Sequence, residues 1–592
     1  MTINRIPYSI ANHEQLIRDD YLFVDKTRYI RDLEVYTVPV FLRPRRFGKS
    51  LFCSTLECYY DVNRRDRFDE LFGSLDIGKN PTPNRNSCMV MRFDFSVIEV
   101  KNDIDFVDEC FRSHCRDVVS VFLARYREYF PNDIDRDGAA GSLLGRVLSE
   151  CDQRGLPPVY IIIDEYDNFT NQMILAQWED LYNQVTTSDS FLRTFFKTIK
   201  SGIQNGTVGR FFATGVLPIT IDDLTSGFNV AEIITLEPTF HSMLGFTESE
   251  VDTYLTLALE AYDIPLTRLP EIRDMLRQFY NGYRFDFDSE ESLYNSTILN
   301  FFLKRFCVNG GKIPREFIDD NLRPDVSWLR RLTRHEETTR ELLETLMYDR
   351  SLPFDYQMLR SKFNMRQFFD RDFYPLSLFY LGMLTFEDEF ALTFPNQSVH
   401  TIITDYYNEV MHLEVSKGYT DYMRQFLKDL DLEALFAGYW ETYVGQIPAQ
   451  AFDQLNEGFF RTTFYELCTR YLSGHFVFAI EANHPSGRSD WELLGKHHSA
   501  YRNVKFIAEF KHFSKPDAKH QEVLTRSTPF DDDVAQVTAY ANDVQTKFPE
   551  YQIRTFVIYT ASNQGFRCFE VTDNPSPPPP GLNIDPDGPH SN

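Results

Sequence analysis

The sequence predicts an α/β protein in which two α/β regions flank a helical one. Three observations carry this expectation. The first 235 residues alternate apolar, strand-like runs with amphipathic stretches, as a parallel sheet covered by helices requires. From about 240 to 440 the apolar period is helical. From about 441 the chain reads as a helix, strands, a second helix and a last strand. The 592 residues are 43% hydrophobic and 25% charged, which excludes wholly disordered, collagen-like and disulfide-scaffold classes.

Each element has its own warrant. Tyr36–Leu42 and Met89–Phe95 are short β-rich runs, and Lys49–Tyr60 between them has helical spacing. Asp105–Phe130 predicts a long amphipathic helix. Val159–Asp164 reads as a buried strand, Phe191–Gln204 as a helix and Arg210–Val216 as a fourth strand. Glu248–Ala261 and Leu269–Tyr280 predict helices, and Met383–Phe394 a hairpin. Asn456–Tyr471 predicts a helix and Val504–Lys511 a strand. The implied division is 5–235, 236–440, 441–571 and a Pro-rich tail, 572–592, that reads as disordered.

The formal net charge is −26, so the chain as a whole is not a cationic nucleic-acid coat. Residues 451–570 are near neutral, with 13 Lys and Arg against 15 Asp and Glu, which permits a local basic groove. Nine dispersed Cys without a CxxC pair predict reduced core thiols and an intracellular location, cytoplasmic or nuclear. No apolar run approaches the roughly 20 residues that span a bilayer, and the N-terminus has no apolar signal region, so no membrane role is expected. The 15% of aromatic residues predicts large packed cores.

Chemistry first gathers at Arg43-Pro44-Arg45-Arg46-Phe47-Gly48-Lys49-Ser50-Leu51, between a strand and a helix. Gly48 lets the backbone curl round phosphate oxygens, Lys49 reaches the β/γ-phosphates, and Ser50 ligates Mg²⁺ at a helix N-terminus. Arg43 stands where the general motif has Gly. The same residues also fit a basic turn before a helix. Ile161-Ile162-Ile163-Asp164-Glu165 supplies the complement. Asp164 at the end of a buried strand suits Mg²⁺, and Glu165 suits polarisation of the attacking water. Thr214, at the end of the next strand, is placed to sense the γ-phosphate or to pack in a turn.

These segments resemble the AAA-ATPase-like proteins. The resemblance rests on Phe23–Thr27, Arg43–Leu51, Ile161–Asp167, Ala213–Val216, Ser226–Asn229, Gly245–Val251 and Tyr280–Phe285, in that order. It covers roughly residues 5–300, and a loop with three arginines and no leading Gly is that family's own form. It implies a P-loop NTPase αβα domain with a helical lid. ATP would be bound by Arg45, Arg46, Phe47, Gly48, Lys49, Ser50, Leu51, Asp164 and Thr214. It would be hydrolysed through Glu165, with Ser50 and Asp164 holding Mg²⁺. Arg284, after the Tyr-Asn-Gly-Tyr turn, is a further candidate for phosphate contact, against a surface role. Oligomerisation through this domain is a further expectation.

A second gathering lies near the C-terminus. Gly487-Arg488-Ser489-Asp490 precedes Glu509-Phe510-Lys511, which ends a strand. Alternation puts Ile507, Glu509 and Lys511 on one face. Two carboxylates suit a hard divalent ion, and a neighbouring ammonium suits the charge that develops on a phosphorane. A solvated Glu–Lys pair on an edge strand fits the same three residues. His497-His498 reads as part of a hairpin tip, Lys496–Arg502.

This layout resembles the PD-(D/E)XK nuclease superfamily over about 441–571. Asp490, Glu509 and Lys511 match its defining triad, Glu457 its acidic helix residue, Glu481 its preceding strand acid, and Gln536 with Tyr540 its following helix. The interval between Asp490 and Glu509 is longer than the family's usual one, and Asp531-Asp532-Asp533 adds charge that repels nucleic acid. The resemblance implies a C-terminal restriction-endonuclease-like α/β domain whose Asp490 and Glu509 hold Mg²⁺. Its substrate would be nucleic acid, DNA in preference to RNA, and its role one in mobile elements, defence or a toxic effector. The competing expectation is a nucleotide-switched interaction protein whose nuclease-like domain does not cleave.

Overall fold

The computed structural model describes residues 5–132, 134–186, 190–224, 228–318, 326–332, 336–360, 363–514 and 519–571. The expected tail, 572–592, and Ser226–Gly227 of the Ser226–Asn229 motif lie outside these residues. Two compact units divide the chain, Met1–Val410 and Met411–Asn592.

The first unit is built on five parallel strands: β1 (Pro39–Leu42), β2 (Met89–Asp94), β3 (Val159–Asp164), β4 (Val208–Gly215) and β5 (Glu232–Ile233), in the order β2-β3-β4-β1-β5. Every residue of β3 is buried, because strands flank it and helices cover it. That is why it reads as an unbroken run of Val, Tyr and Ile rather than an alternation. Helix Ala140–Gln153 packs on helix Phe191–Gln204. The two approach closely at Gly141, where a Cβ would lie 3.1 Å from Thr194. The long helix runs Ile104–Arg125, five residues shorter than expected at its C-terminal end. The aromatic residues go where composition placed them: Phe93, Phe95, Phe111, Phe169 and Phe195 form one contiguous edge-to-face cluster.

The rest of this unit is mainly helical. Helix Glu248–Ala261 opens on a capping box between Thr247 and Glu250, and Leu269–Tyr280 and Ser296–Val308 follow. The expected hairpin is present as β7 (Thr385–Phe386) and β8 (Ala391–Thr393), with β6 (Ser351–Pro353) added on the other side of β8.

The second unit carries a mixed sheet of β9 (Phe476–His484), β10 (Gly487–Gly495), β11 (Val504–Phe513), β12 (Gln552–Ala561) and β13 (Gly565–Val571), in the order β13-β12-β11-β10-β9. Only β11 and β12 pair in parallel. Helices Leu432–Thr442 and Glu457–Leu472 cover one face through Phe436, Phe464, Trp491 and Phe510. Helix Asp531–Lys547 covers the other, with Tyr540 and Val544 on Ile507. The first of these helices starts at Leu432, before residue 441, and ends at Thr442. All nine Cys are free, and no helix of the described residues is long and apolar enough to cross a membrane.

Candidate functional site

Two constellations stand out, one in each unit. In the first, β1 runs into the loop 43–48 and then helix Lys49–Tyr60. Arg46 and Gly48 both adopt left-handed backbone, φ +72° and +93°, which curls the loop. Arg46 through Leu51 and Glu165 line a cavity of about 250 Å³. Lys49 is buried beneath it, donating to the carbonyls of Arg43 (3.1 Å) and Pro44 (3.2 Å) and lying 3.4 Å from Glu165 Oε1. Glu165 too has positive φ, +52°, a strained conformation of the kind that collects at functional sites.

Asp164 is almost wholly buried. Its Oδ2 takes a 2.8 Å ion pair from Arg92 on β2, while its Oδ1 is buried without a hydrogen-bond partner. Burial pushes its carboxyl up, and Arg92 opposes that. Ser50 also meets this carboxylate through its side chain, and a buried carboxylate with a serine hydroxyl fits a hard divalent cation.

Several expectations change here. Thr214 does not reach the cavity: its hydroxyl donates to the Phe41 carbonyl at 2.8 Å, cross-linking β4 to β1. Arg45 is outside the lining too, beside Asn295, which donates to its carbonyl. Arg284 donates to the Glu387 carbonyl and does not line the cavity. Arg43 is buried and spends its guanidinium on the carbonyls of Leu42, Thr235, Phe240 and His241, each at 3.0 Å, between the rings of Phe41 and Phe285. It braces the end of β1 and does not line the cavity.

The cavity's other walls come from residues 7–27 and from the helical region after β5, including Lys26, Phe246 and Asn300. The middle region therefore contributes to this site, and Lys26 ties the two walls together through a 2.6 Å ion pair with Glu250. The Phe23–Thr27 motif was the available sequence signal for that wall.

In the second unit, the strand registers set Asp490 of β10 opposite Glu481 of β9 and Glu509 of β11, one row of three acids across the sheet. The β10–β11 ladder stops at Trp491. Beyond it side chains replace backbone partners: Asp490 N–H donates to Glu509 Oε1 (3.2 Å), and Phe510 N–H donates to Asp490 Oδ2 (2.9 Å). Glu481 sits at φ +53°. Lys511 Nζ is 3.2 Å from Glu509 Oε2, which also accepts from Gln536 Nε2 at 3.0 Å, and Gln536 in turn donates to Tyr540. Glu457 joins the cluster. Burial, then the charge of Asp490, push its carboxyl up to about 7, with Lys511 and Arg461 opposing. Burial and then Asp490 push Glu509 up to about 8. Burial lowers the Lys511 ammonium, but Glu457, Glu509 and Asp490 outweigh it and leave it raised.

All seven residues expected here are thus brought together. Among the described residues no group of three or more His, Cys, Asp and Glu converges on one metal-sized point. The donor set fits a hard divalent ion as two carboxylates, Asp490 and Glu509, with the remaining positions for oxygens of backbone or water. Sequence reasoning missed Arg461, which pairs with Asp490 Oδ1 (2.5 Å) and Glu481 Oε1 (2.7 Å). Its place four residues after Glu457, on the same helix face, was the only local hint.

Comparison with known proteins agrees with this geometry. Residues 7–225 match the family model described as predicted AAA-ATPase, and residues 455–570 match that of the PD-(D/E)XK nuclease superfamily. The chain joins an AAA-ATPase-like domain to a PD-(D/E)XK domain. A relative described as an uncharacterized protein in the vnfD 5' region of Azotobacter chroococcum mcd 1 is 26% identical over 318 residues, 52% of this chain. The chain spans about half the length of that relative, 53%. The PD-(D/E)XK match encloses Glu457, Glu481, Asp490, Glu509, Lys511 and Gln536, and the AAA-ATPase-like match encloses the loop, Asp164 and Glu165.

Proposed function

We propose that the protein is an ATP-binding and ATP-hydrolysing P-loop protein coupled to a Mg²⁺-dependent nucleic-acid phosphodiesterase. The observation that carries the second half is the row Glu481–Asp490–Glu509, with Lys511 beside it, at the point where the β10–β11 ladder gives way. Strand ends that exchange backbone hydrogen bonds for carboxylates give up regular pairing for a polar notch, which a purely structural sheet has no reason to do. Asp490 and Glu509 would hold the ion, which when bound supplies Lewis-acid charge at a phosphodiester and a more acidic water. Lys511 meets the negative charge that grows on the phosphorane oxygens. Gln536 fixes Glu509, and Glu457 and Glu481 complete the acidic wall.

In the first unit, Lys49 follows the phosphates, Ser50 and Asp164 hold Mg²⁺, and Glu165 orients and polarises water. ATP turnover would gate or position the phosphodiesterase. DNA is the favoured substrate over RNA, in a mobile-element, defence or effector setting.

The test is nicking of supercoiled plasmid by the purified chain in Mg²⁺, with and without ATP. Mg²⁺-dependent cleavage that responds to ATP is expected. ATP hydrolysis with no cleavage of DNA or RNA under either condition would instead leave a nucleotide-switched interaction protein.

A further inference from the structure

The least expected group at the C-terminal site is a cation that belongs to the protein. Arg461 is buried, and its two terminal nitrogens are divided between Asp490 Oδ1 and Glu481 Oε1. Its Nε is buried without any acceptor. The side chain is therefore held to the acids only through its tip, and it can swing off them without breaking a third hydrogen bond. Four carboxylates, Glu457, Glu481, Asp490 and Glu509, face the side-chain cations Arg461 and Lys511, with the exposed Arg488 3.7 Å from Glu481 Oε2. Lys511 is engaged with Glu509, so the Asp490 end of the cluster is compensated by Arg461. A divalent ion that uses Asp490 asks for the same carboxylate that the guanidinium already occupies. Two cations that demand one ligand exclude each other to the extent of their shared contact.

We propose that Arg461 is a built-in competitor for the divalent cation of the PD-(D/E)XK site, which holds Asp490 and Glu481 together until the ion displaces it from Asp490. The inference rests on the reading of Asp490 and Glu509 as cation ligands. Arg461 is a positioning residue in this scheme. It keeps the acidic row assembled against its own repulsion, and it sets how much free cation is needed to load the site. Its retreat from Asp490 leaves it on Glu481, so the guanidinium stays in the notch as a second positive group.

The test measures cation binding rather than cleavage. Mn²⁺ is titrated calorimetrically into the nucleotide-free full-length chain and into Asp490→Asn, Arg461→Gln and Arg461→Lys, with thermal unfolding recorded at each Mn²⁺ concentration. The difference between wild type and Asp490→Asn isolates the C-terminal site from any ion at Asp164. Arg461→Gln should bind Mn²⁺ about tenfold more tightly, within the ~5–150-fold span of ordinary coupling between sites. Its unfolding temperature should fall without Mn²⁺ and recover with it. Arg461→Lys should lie between, because one ammonium cannot bridge two carboxylates as a guanidinium does. It also retains a cation for the buried acids, and it carries the test should Arg461→Gln fail to fold. Unchanged or weaker Mn²⁺ affinity in both Arg461 variants, with the site still lost in Asp490→Asn, would overturn the competition alone. Undiminished binding in Asp490→Asn would overturn the cation-ligand reading and this inference with it.

Discussion

Lys49 Nζ lies 3.4 Å from Glu165 Oε1, the ammonium of the P-loop against the acid that follows β3. The pair joins the groups proposed to bind phosphate and to polarise water, and variants of each separate the two proposed roles. Lys49→Ala should abolish ATP binding, because it removes the mobile charge that follows the γ-phosphate. Glu165→Gln should keep binding and lose turnover, since the amide preserves shape but cannot polarise water. Fluorescent-nucleotide binding and phosphate release measure the two separately. Wild-type affinity in Lys49→Ala would overturn the P-loop assignment.

Asp167 gives a pH dependence with a definite sign. It is wholly buried and accepts from the backbone N–H of Val216 (3.1 Å) and Leu217 (2.7 Å), tying the turn after β3 to the end of β4. Burial, then Glu165, push its carboxyl up to about 6 from the usual 3.8, and its hydrogen bonds only partly offset them. The folded state therefore holds its proton more tightly than the unfolded chain does. Its contribution is favourable at pH 4 and is lost as pH rises through 6. Asp167→Asn has no such titration. Its stability relative to wild type should rise between pH 4 and pH 6 by about 2 kcal/mol, the part of a shift of roughly two pH units that is titrated in that range. Urea unfolding of both proteins across that range measures it, and a flat difference would refute it.

The parts of this molecule that could be read in advance are those whose signal is local. The Gly48-Lys49-Ser50 turn, the Ile-Ile-Ile strand ending in Asp164 and the alternation of β11 carry their meaning in neighbouring residues. Helices Lys49–Tyr60, Phe191–Gln204, Glu248–Ala261 and Leu269–Tyr280 fall at their expected bounds for the same reason. What was not legible is set by partners far away in sequence. Thr214 is spent on Phe41, 173 residues distant, Arg92 reaches Asp164 over 72 and Arg461 reaches Asp490 over 29. An Arg on a helix reads as surface until the fold brings a carboxylate to it. Arg43 is the sharpest case. A basic residue in a phosphate-binding loop invites a phosphate, yet four carbonyls claim it.

A second buried charge cluster lies on β9–β11. Glu492 is buried and paired with Lys505 Nζ (2.7 Å) and His484 Nε2 (2.6 Å), and Ser489 Oγ donates to it at 2.8 Å. Ser489 is itself buried, and a single ring nitrogen of His484 meets both partners, so the cluster is structural rather than a nucleophile with its base. Lys505→Met leaves a buried carboxylate short of its main counter-ion and should destabilise the C-terminal unit by roughly 3–5 kcal/mol. Adding Glu492→Gln should recover much of the loss. Chemical denaturation monitored by Trp fluorescence would show it, and a double variant no more stable than Lys505→Met would contradict it.

The last prediction concerns Asp490, Glu509 and Lys511. Asp490→Ala and Glu509→Ala should each remove Mg²⁺-dependent cleavage, since each deletes one of two proposed ligands. Their side effects should differ. Asp490 and Glu509 both accept a backbone N–H at the broken ladder, but Asp490 also satisfies Arg461. Asp490→Ala therefore strands a buried guanidinium on Glu481 alone and should be the less stable of the two. Lys511→Ala should leave cation binding nearly intact and slow cleavage by about 10²–10³-fold, the loss typical of one transition-state stabiliser. Lys511→Arg keeps the charge with a different shape, and partial recovery is expected if charge is what matters. Single-turnover cleavage at saturating Mg²⁺, beside Mn²⁺ titration of each variant, separates the roles. A Lys511→Ala protein that cleaves at the wild-type rate would remove Lys511 from the chemistry. The Glu509 pairing would then be a structural ion pair at a strand end.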